Sequence, residues 1–257
     1  MKRLSIELDV GQISYVAQGQ GQALVLLHSL GISAEACGKV LQPLAQNYAV
    51  YALDMLGHGY SSKPSKNYLI EDYAQSVIAF MDKLSLERAI LCGNSVGALI
   101  ALEIAATYPK RVEKLMLVGC PARDAWEQME RLTLAALDYD AEGNPKPLSI
   151  VTLAMSYAHP TVELLEWVNQ QRAKAGKWVK KTLIAISLYD VFPKLPLVKC
   201  PTLILFGSQD VLREQEQILL EGIRRARYAL VEDAGHLPQV EKPQAFLQEV
   251  NRFLSVP

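Results

Sequence analysis

A serine lies between two glycines in the segment Gly93–Gly97, which reads Gly-Asn-Ser-Val-Gly. This segment follows a short apolar run and begins a stretch with helical spacing, so we expect Ser95 at a sharp turn from a strand into a helix. Such a turn lifts the hydroxyl above the edge of a sheet and beside the positive end of a helix. A side chain two residues before or after Ser95 would collide with its neighbours, which explains both glycines. Ser95 is therefore a candidate nucleophile.

A base must accept the proton of that hydroxyl, because a neutral serine is a weak nucleophile. The chain has four histidines. His236 follows the last apolar run and precedes the last helical segment, on a loop that we expect at the same sheet edge. His28 and His58 belong to other motifs, and His159 precedes Pro160 in a region where a surface or turn position is expected. We predict that His236 is the base.

A carboxylate must in turn hold the histidine in the correct tautomer. Asp210 follows the penultimate apolar run, which gives the chain order Ser95, Asp210, His236. The alternative is Asp233, which lies only three residues before His236 and is expected to cap that turn. We favour Asp210 on its position.

These residues require a parallel sheet to bring them together. Two alternating segments, Arg3–Asp9 and Gln12–Val16, predict an opening hairpin. The following apolar runs have no polar face, as in strands that helices cover on both sides. Predicted buried strands are Ala23–Leu27, Tyr48–Leu53, Ala89–Cys92, Leu115–Val118, Thr202–Phe206 and Tyr228–Val231. Predicted helices between and after them are Ser33–Gln46, Ile70–Leu84, Ser95–Tyr108, Arg213–Arg225 and Pro243–Leu254. The order predicts an α/β fold.

One interval interrupts this alternation, and we predict that residues 121–198 form a helical insertion. Residues 1–120 and 199–257 would then form one discontinuous core domain, because Ser95 precedes the insertion whereas Asp210 and His236 follow it. The basic cluster Arg172–Lys181 is expected on a solvated outer face, and the alternative is a site for an anionic group. The predicted pocket above the serine is apolar and suits an aromatic or alkyl group. Its predicted lining residues are Trp126, Met129, Trp167, Trp178 and Leu237.

The sequence resembles the α/β-hydrolase family over essentially its whole length. The resemblance is carried by Gly93–Gly97, by Gly235-His236 followed by Glu241-Lys242-Pro243, and by Asp54–Ser61. It implies a mostly parallel sheet with helices on both faces, a helical cap formed by the insertion, and the order Ser95, Asp210, His236 for the triad. The family places aspartate at the Ser95 position in dehalogenases and epoxide hydrolases, so both chemistries are excluded.

The same resemblance implies an oxyanion hole made of two backbone N–H groups, those of Val96 and Leu30. The family usually has His-Gly at the loop that begins with His28, whereas this chain has His28-Ser29-Leu30-Gly31, similar to the version found in enol-lactonases of aromatic degradation. Asp54 and His58 are implied to be framework residues without a catalytic role.

The predicted function is therefore hydrolysis of a carboxylic ester or lactone through an acyl-enzyme, with no cofactor and no metal. Two alternatives remain open. The Gly-Asn-Ser sequence also resembles carbon–carbon bond hydrolases of meta-ring-cleavage products, although the His28–Gly31 loop lacks their usual glycine-rich sequence. Some members of the fold are slow-turnover small-molecule receptors in which Ser-Val is common, as at Ser95-Val96.

The composition of the chain limits the classes of binding partner that we expect. The chain has 257 residues, and 26 Lys plus Arg against 27 Asp plus Glu leave a net charge of −1, which gives no electrostatic reason to expect nucleic acid. No apolar segment is long enough to cross a membrane and no signal peptide is indicated. The four cysteines are widely spaced, which favours reduced thiols. We expect a cytoplasmic protein, monomer or homodimer, whose partner is a small-molecule substrate.

Overall fold

The chain forms one eight-stranded sheet in the computed structural model, which describes residues 2–124, 127, 130, 132–133 and 135–255. The strands of this sheet are β1 Arg3–Leu8, β2 Gly11–Gln18, β3 Ala23–Leu27, β4 Ala49–Leu53, β5 Ala89–Asn94, β6 Val112–Val118, β7 Thr202–Gly207 and β8 Ala226–Val231. Their order across the sheet is β1-β2-β4-β3-β5-β6-β7-β8. β1 pairs antiparallel with β2, and β2 pairs antiparallel with β4.

The remaining six strands, in the order β4-β3-β5-β6-β7-β8, run parallel to one another. Their carboxyl ends therefore meet at one edge of the sheet, where parallel α/β folds bind ligands. β3 and β5 are buried along their whole length, since helices cover both faces. The loops that leave β3, β5, β7 and β8 at this edge carry the predicted site residues.

Helices cover both faces of the sheet, and three further helices lie in residues 121–198 among the described residues. The described helices are α1 Gly38–Leu44, α2 Ile70–Lys83, α3 Val96–Thr107, α4 Ile150–Ala154, α5 Val162–Ala175, α6 Trp178–Ser187, α7 Glu216–Gly222, α8 Pro238–Glu241 and α9 Pro243–Leu254. Side chains of α2 and α3, such as Tyr73, Phe80 and Leu99, form the core on one face. Leu41 of α1 and Phe246 of α9 pack in the core on the other face.

The predicted α/β class is confirmed, and the elements differ from prediction mainly at their ends. The segment predicted as a helix over Ser33–Gln46 begins as a 3₁₀ helix, Ala34–Cys37, before α1. The segment predicted over Arg213–Arg225 also begins as a 3₁₀ helix and its α-helix α7 ends at Gly222. The helix ends there because Ile223 turns to an extended conformation and is buried in the core.

Residues 121–198 contain α4, α5 and α6, and in its described residues this interval adds no strand to the sheet. An isolated bridge pairs Tyr139 with Pro145. Tyr139 packs with Ala175, Val179 and Leu183 in a small cluster separate from the two main cores. The interval therefore has apolar contacts of its own, and we call it the insertion.

All four cysteines are described and none forms a disulfide. In the described part of the chain no helix combines the length and apolarity needed to span a bilayer. Nor do three potential metal-ligating side chains of His, Cys, Asp or Glu cluster together within those residues.

Candidate active site

Ser95 lies at the junction of β5 and α3, as the glycine spacing predicts. Its φ of 56° and ψ of −116° fall in the left-handed half of backbone space, which is strained for a residue with a Cβ. The amide of Ser95 donates to the carbonyl oxygen of Val118 on the adjacent strand at 2.8 Å, which fixes the turn against the sheet. The hydroxyl thus projects from the carboxyl edge at the first turn of α3.

The two flanking glycines are needed for close backbone approach. A Cβ on Gly93 would lie 2.0 Å from the carbonyl oxygen of Gly97, and a Cβ on Gly97 would lie 2.4 Å from the carbonyl oxygen of Leu27 on β3. Both distances are far inside van der Waals contact, and both neighbours are backbone atoms that cannot rotate away. The turn at Ser95 therefore requires glycine at both positions, as expected from the sequence.

His236 and Asp210 are paired at the same edge. The Nδ1 atom of His236 lies 3.0 Å from Oδ1 and 3.1 Å from Oδ2 of Asp210. Oδ1 also accepts the amide of Leu212 at 2.9 Å, so the carboxylate is held in place from two directions. The Asp210 side chain is fully buried, which excludes the water that would compete for these bonds.

Asp233, the alternative orienting carboxylate, faces elsewhere. It pairs with Nε2 of His159 at 2.7 Å and with Lys242, and its side chain is half exposed. Its φ of 56° places it at the turn that leads to His236. Asp210 is therefore the carboxylate on His236, and His159 lies at the surface.

Gly119, which the sequence analysis did not single out, makes room for the Asp210–His236 pair. Its φ is 53°, and a Cβ there would lie 2.8 Å from Oδ2 of Asp210 and 3.0 Å from Nδ1 of His236. The residue immediately follows β6, so its backbone forms the floor beneath the pair. The signal in the sequence is a glycine directly after a predicted parallel strand.

Three further residues hold the loop of His236, namely Ser156, Glu241 and Asn94. The His236 amide donates to the carbonyl oxygen of Ser156 in the insertion at 2.7 Å. Glu241 accepts the amide of Gly235 at 3.0 Å and the amide of Ala158 at 2.7 Å, so its carboxylate joins the loop to the insertion. Burial raises the pKa of the Glu241 carboxyl, and the amide hydrogen bonds oppose that shift by stabilising the ionised form. The loop is thus fixed by backbone and carboxylate contacts.

Asn94, the residue before Ser95, is the third residue that holds the loop of His236. Its Nδ2 donates to the carbonyl oxygens of Val118 and His236, both at 3.1 Å. Asn94 is buried. Its place inside the Gly93–Gly97 segment was visible in the sequence, but its contact with a loop 142 positions away was not.

The two amides predicted to form an oxyanion hole are Leu30 and Val96. Val96 begins α3, and Leu30 lines the cavity that contains Ser95 and His236. Neither N–H donates to another group in the described part of the chain. The loop of Leu30 is held by His28, whose Nε2 accepts the amide of Met55 at 3.0 Å and whose Nδ1 donates to the carbonyl oxygen of Ser29 at 2.8 Å.

Burial lowers the pKa of the His28 ring to about 4, against a smaller upward effect of its hydrogen bond to Ser29. The His58 ring lies beside it, tilted by 53° with ring centroids 5.4 Å apart, and burial followed by the charge of His28 lowers the pKa of His58 to about 3. Asp54 accepts the amides of Ala34 and Tyr60 and pairs with Arg3, so it joins neighbouring loops. The two ring nitrogens of His58 have no hydrogen-bond partner among the described residues, and a framework role for His58 stays a prediction.

A cavity of about 160 Å³ lies over Ser95 and His236. The insertion forms one side of it. Its apolar lining residues are Leu30, Ile32, Leu148, Val168, Leu183, Ile186 and Leu212. Arg123, Arg172 and Tyr157 also line it, so the cavity is more polar than the sequence led us to expect. No hydrogen bond joins the Ser95 hydroxyl to the imidazole here, although catalytic hydrogen bonds commonly tighten only when substrate is bound.

The residues predicted to line the pocket occupy other places. Trp178 is buried in the main core, with its ring against the backbone of Gly57 and the ring of Tyr68. Leu237 is buried in a small cluster against which Trp167 packs, and Trp167 borders a second cavity of about 380 Å³. None of these three lines the cavity over Ser95. Trp126 and Met129 lie outside the described residues.

Arg172 corrects the expectation of a solvated basic face. It is the one member of the cluster Arg172–Lys181 found among the described residues that line the cavity, where it lies one helical turn after Val168. Lys177 is exposed, and Lys174 and Lys181 lie against the rings of Tyr60 and Trp178. The cluster thus divides into one inward arginine and several lysines outside the cavity.

Comparison with known proteins relates the chain to hydrolases by sequence and by fold. Residues 22–243 match the sequence model of a family described as "alpha/beta hydrolase fold". A pimeloyl-(acyl-carrier protein) methyl ester esterase of Nitrosospira multiformis is 26% identical, with 95% of this chain and 99% of that protein covered. The 3-oxoadipate enol-lactonase 2 of Acinetobacter baylyi is 27% identical, with 94% of this chain and 92% of that protein covered.

Among solved structures, the enol-lactonase from Burkholderia xenovorans LB400 superposes with a TM-score of 0.85 at 26% sequence identity. The match covers 98% of this chain and all of that one. The whole sheet and its helices therefore have a counterpart in a lactone-hydrolysing protein of the same length class.

Proposed function

Since the chain belongs to the family of proteins with the alpha/beta hydrolase fold, we propose that it is a serine hydrolase that cleaves a carboxylic ester or a lactone. The observation that carries the proposal is the convergence of Ser95, at a strained turn, with the Asp210–His236 pair in one cavity. The relatives named as a methyl ester esterase and an enol-lactonase support the choice of bond.

In the proposed reaction, Ser95 Oγ bonds to the carbonyl carbon of the substrate while its proton passes to Nε2 of His236. Asp210 stabilises the resulting imidazolium through Nδ1. The carbonyl oxygen becomes an oxyanion, and the amides of Leu30 and Val96 are the groups available to bind it, because neither donates elsewhere in the described chain.

His236 then gives its proton to the leaving alkoxide, and the carbon–oxygen bond of the ester breaks to leave an acyl-enzyme. A water molecule attacks this acyl group with His236 as base, and Ser95 is regenerated with release of the acid. For a lactone the alkoxide stays attached to the acyl group, so one hydroxy acid leaves. The insertion, residues 121–198, acts in this proposal as a cap that shapes the acyl and alcohol sites above a core made of residues 1–120 and 199–257.

A direct test is hydrolysis of p-nitrophenyl acetate and butyrate by the wild-type chain and by Ser95→Ala. We expect the variant to lose about 10³-fold or more in kcat/KM, because removal of a triad nucleophile leaves only binding and the oxyanion hole. Ser85→Ala is a matched control: Ser85 has a φ of 54°, similar to that of Ser95, but is an exposed loop residue. It should retain wild-type activity.

Three outcomes would contradict this assignment. If Ser95→Ala keeps wild-type turnover, Ser95 is not the nucleophile. A large preference for a coloured meta-ring-cleavage dienone over all esters and lactones would instead favour a carbon–carbon bond hydrolase. A single turnover followed by a stable ligand complex would favour a receptor, whereas sustained turnover supports the enzyme.

A further inference from the structure

The cavity over Ser95 contains two arginines that lack a charge partner. Arg123 and Arg172 both line it, and neither forms an ion pair or a side-chain hydrogen bond with any of the described residues. The Nε atom of Arg172 is buried without a hydrogen-bond partner among those residues. A buried guanidinium donor without an acceptor is costly, so such a group usually faces a ligand or an ion.

No carboxylate within the cavity pairs with these two arginines, since no Asp or Glu belongs to the described residues that line it. Glu127, Glu214 and Asp210 lie close enough for their charges to raise the pKa of Arg123, and Asp138 does the same for Arg172, but none of these described carboxylates forms an ion pair with either guanidinium. The two oxygens of Asp210 are already bound to His236 and the Leu212 amide. Burial is the main effect on both guanidinium groups and lowers the pKa of each. The cavity therefore has two partly desolvated positive groups with no carboxylate of its own to satisfy them.

The position of Arg172 ties it to the reaction centre. Its side-chain stem lies against the loop of the predicted oxyanion hole, since a Cβ on Gly31 would be 3.1 Å from Cγ of Arg172. Gly31 has a φ of 74° and follows Leu30, whose amide is free in the described chain. Arg172 is thus packed over the same short loop that would bind the developing oxyanion, and Arg123 lies towards the Asp210 side.

We propose that Arg172 and Arg123 bind a free carboxylate of the substrate, so that the enzyme acts on esters or lactones that carry a second carboxyl group. The inference rests on the proposed function and specifies its substrate class. The planar fork of arginine matches a carboxylate with two parallel hydrogen bonds, which makes this group the best fit to the unpaired donors. A cavity of about 160 Å³ has room for a short chain, such as a half-ester of a five- or six-carbon dicarboxylic acid.

The test compares two esters of equal chain length that differ in this carboxylate: monoethyl glutarate and ethyl pentanoate, both followed by acid release in a pH-stat. We expect wild type to have a kcat/KM at least about tenfold higher for the half-ester. A factor of this size corresponds to the free energy of one charge-assisted hydrogen bond. Arg172→Gln should lower the ratio of the two kcat/KM values by about 10- to 100-fold, and Arg123→Gln by about 3- to 30-fold. Arg172→Lys should fall between Arg172→Gln and wild type.

Arg224→Gln is the matched control, because Arg224 is an exposed loop residue outside the cavity. It makes the same change of side chain and of net charge, and the ratio should stay at the wild-type value. Circular dichroism melting of each variant checks that it is folded. If Arg172→Gln does not fold, Arg172→Lys and Arg123→Gln carry the comparison.

Equal kcat/KM values for the two esters in wild type would overturn the inference, as would a ratio that both Arg→Gln changes leave intact. Stronger competitive inhibition by inorganic phosphate than by glutarate would also overturn it, because the site would then prefer another anion. Calorimetry on Ser95→Ala separates the two proposals. Binding of monoethyl glutarate that Arg172→Gln abolishes supports the anion site even if wild type hydrolyses neither ester, and in that case the hydrolase assignment alone fails.

Discussion

Asn94 donates from its side-chain nitrogen to the carbonyl oxygen of His236 at 3.1 Å, which joins the residue before the candidate nucleophile directly to the candidate base. The same nitrogen also donates to Val118 on the neighbouring strand. The distance between Ser95 and His236 therefore depends on one buried amide as well as on the sheet.

Replacing this amide should reduce turnover. We expect Asn94→Ala to lower kcat by about 10- to 100-fold, because a small displacement of a catalytic group carries a cost of that order, and to change KM little. The pH at which kcat reaches half its maximum should also shift, an effect that a general loss of folded protein would not produce. Asn251→Ala, an exposed change in α9, is the control. Unchanged kcat in Asn94→Ala would contradict the positioning role.

Gly119 offers a test of the Asp210–His236 pair without touching either residue. Gly119→Ala places a methyl group 2.8 Å from Oδ2 of Asp210, so we expect kcat/KM to fall by about 10²-fold or more. The left-handed backbone adds a stability cost of about 1–2 kcal/mol.

Gly143→Ala separates these two effects. Gly143 has a φ of 85°, but the nearest atom to its Cβ would be 3.7 Å away, on the flexible side chain of Lys180. This variant should lose stability by a similar amount in urea denaturation and keep full activity. Equal activity losses in both variants would show that the methyl group near Asp210 is not responsible.

Glu241 is expected to position His236 through the Gly235 amide. Glu241→Gln leaves one acceptor oxygen for two amide donors and turns an NH₂ group towards the other donor, so we expect a loss of about 1–3 kcal/mol in stability. We also expect a lower kcat, since the variant weakens one of the contacts between the histidine loop and the insertion, while that of the His236 amide with Ser156 stays intact. Glu166→Gln, an exposed change on α5, should alter neither quantity. Wild-type kcat and stability in Glu241→Gln would refute the role.

The buried histidines predict how stability depends on pH. The pKa of His28 is about 4 and that of His58 about 3 in the folded chain, against 6.5 for an ordinary histidine, because burial opposes the charged form. The unfolded chain therefore binds protons first as the pH falls. Stability from these rings is complete above pH 6.5 and is lost progressively as the pH falls, down to about pH 4 for His28 and about pH 3 for His58, at about 1.4 kcal/mol per pH unit for each ring.

Urea denaturation of wild type and His58→Gln at pH 7, 6 and 5 measures this slope. The variant should show a shallower dependence of the unfolding free energy on pH, while carboxyl groups contribute equally to both chains and cancel in the comparison. Parallel curves for the two proteins would contradict the low pKa of His58.

Local sequence pattern was sufficient to predict the strands and to place Ser95, Asp210 and His236 at one edge of the sheet, because each of these depends on a short segment. Ala23–Leu27 could be predicted as a buried strand from its own five residues, and Ser95 from the glycines beside it. The pocket could not be predicted in this way. Trp178 has the residue type expected of a pocket, but it fills the space beside Gly57, which is 121 positions earlier in the chain.

Arg172 illustrates the opposite case. Its charge and its basic neighbours favour an exposed position, whereas its spacing of four from Val168 places both on the helix face that lines the cavity. Residue type and helical position thus gave conflicting indications, and only the packed structure decides between them. Gly119 was missed for a related reason, since its partners Asp210 and His236 come from distant segments. Glu241 was noted only as part of the family resemblance, and its contact with Ala158, 83 positions away, could not be predicted.

Hydrogen bonds of backbone amides join the insertion to the histidine loop. The His236 amide donates to the Ser156 carbonyl oxygen, and the Ala158 amide donates to Glu241. Both bonds bear on how the substrate specificity of this chain can be re-engineered. A graft that exchanges the whole of residues 121–198 for the corresponding segment of a relative would also exchange the support of the histidine. Grafts that keep the backbone of 156–158 and replace only α5 and α6 should transfer substrate preference with turnover intact.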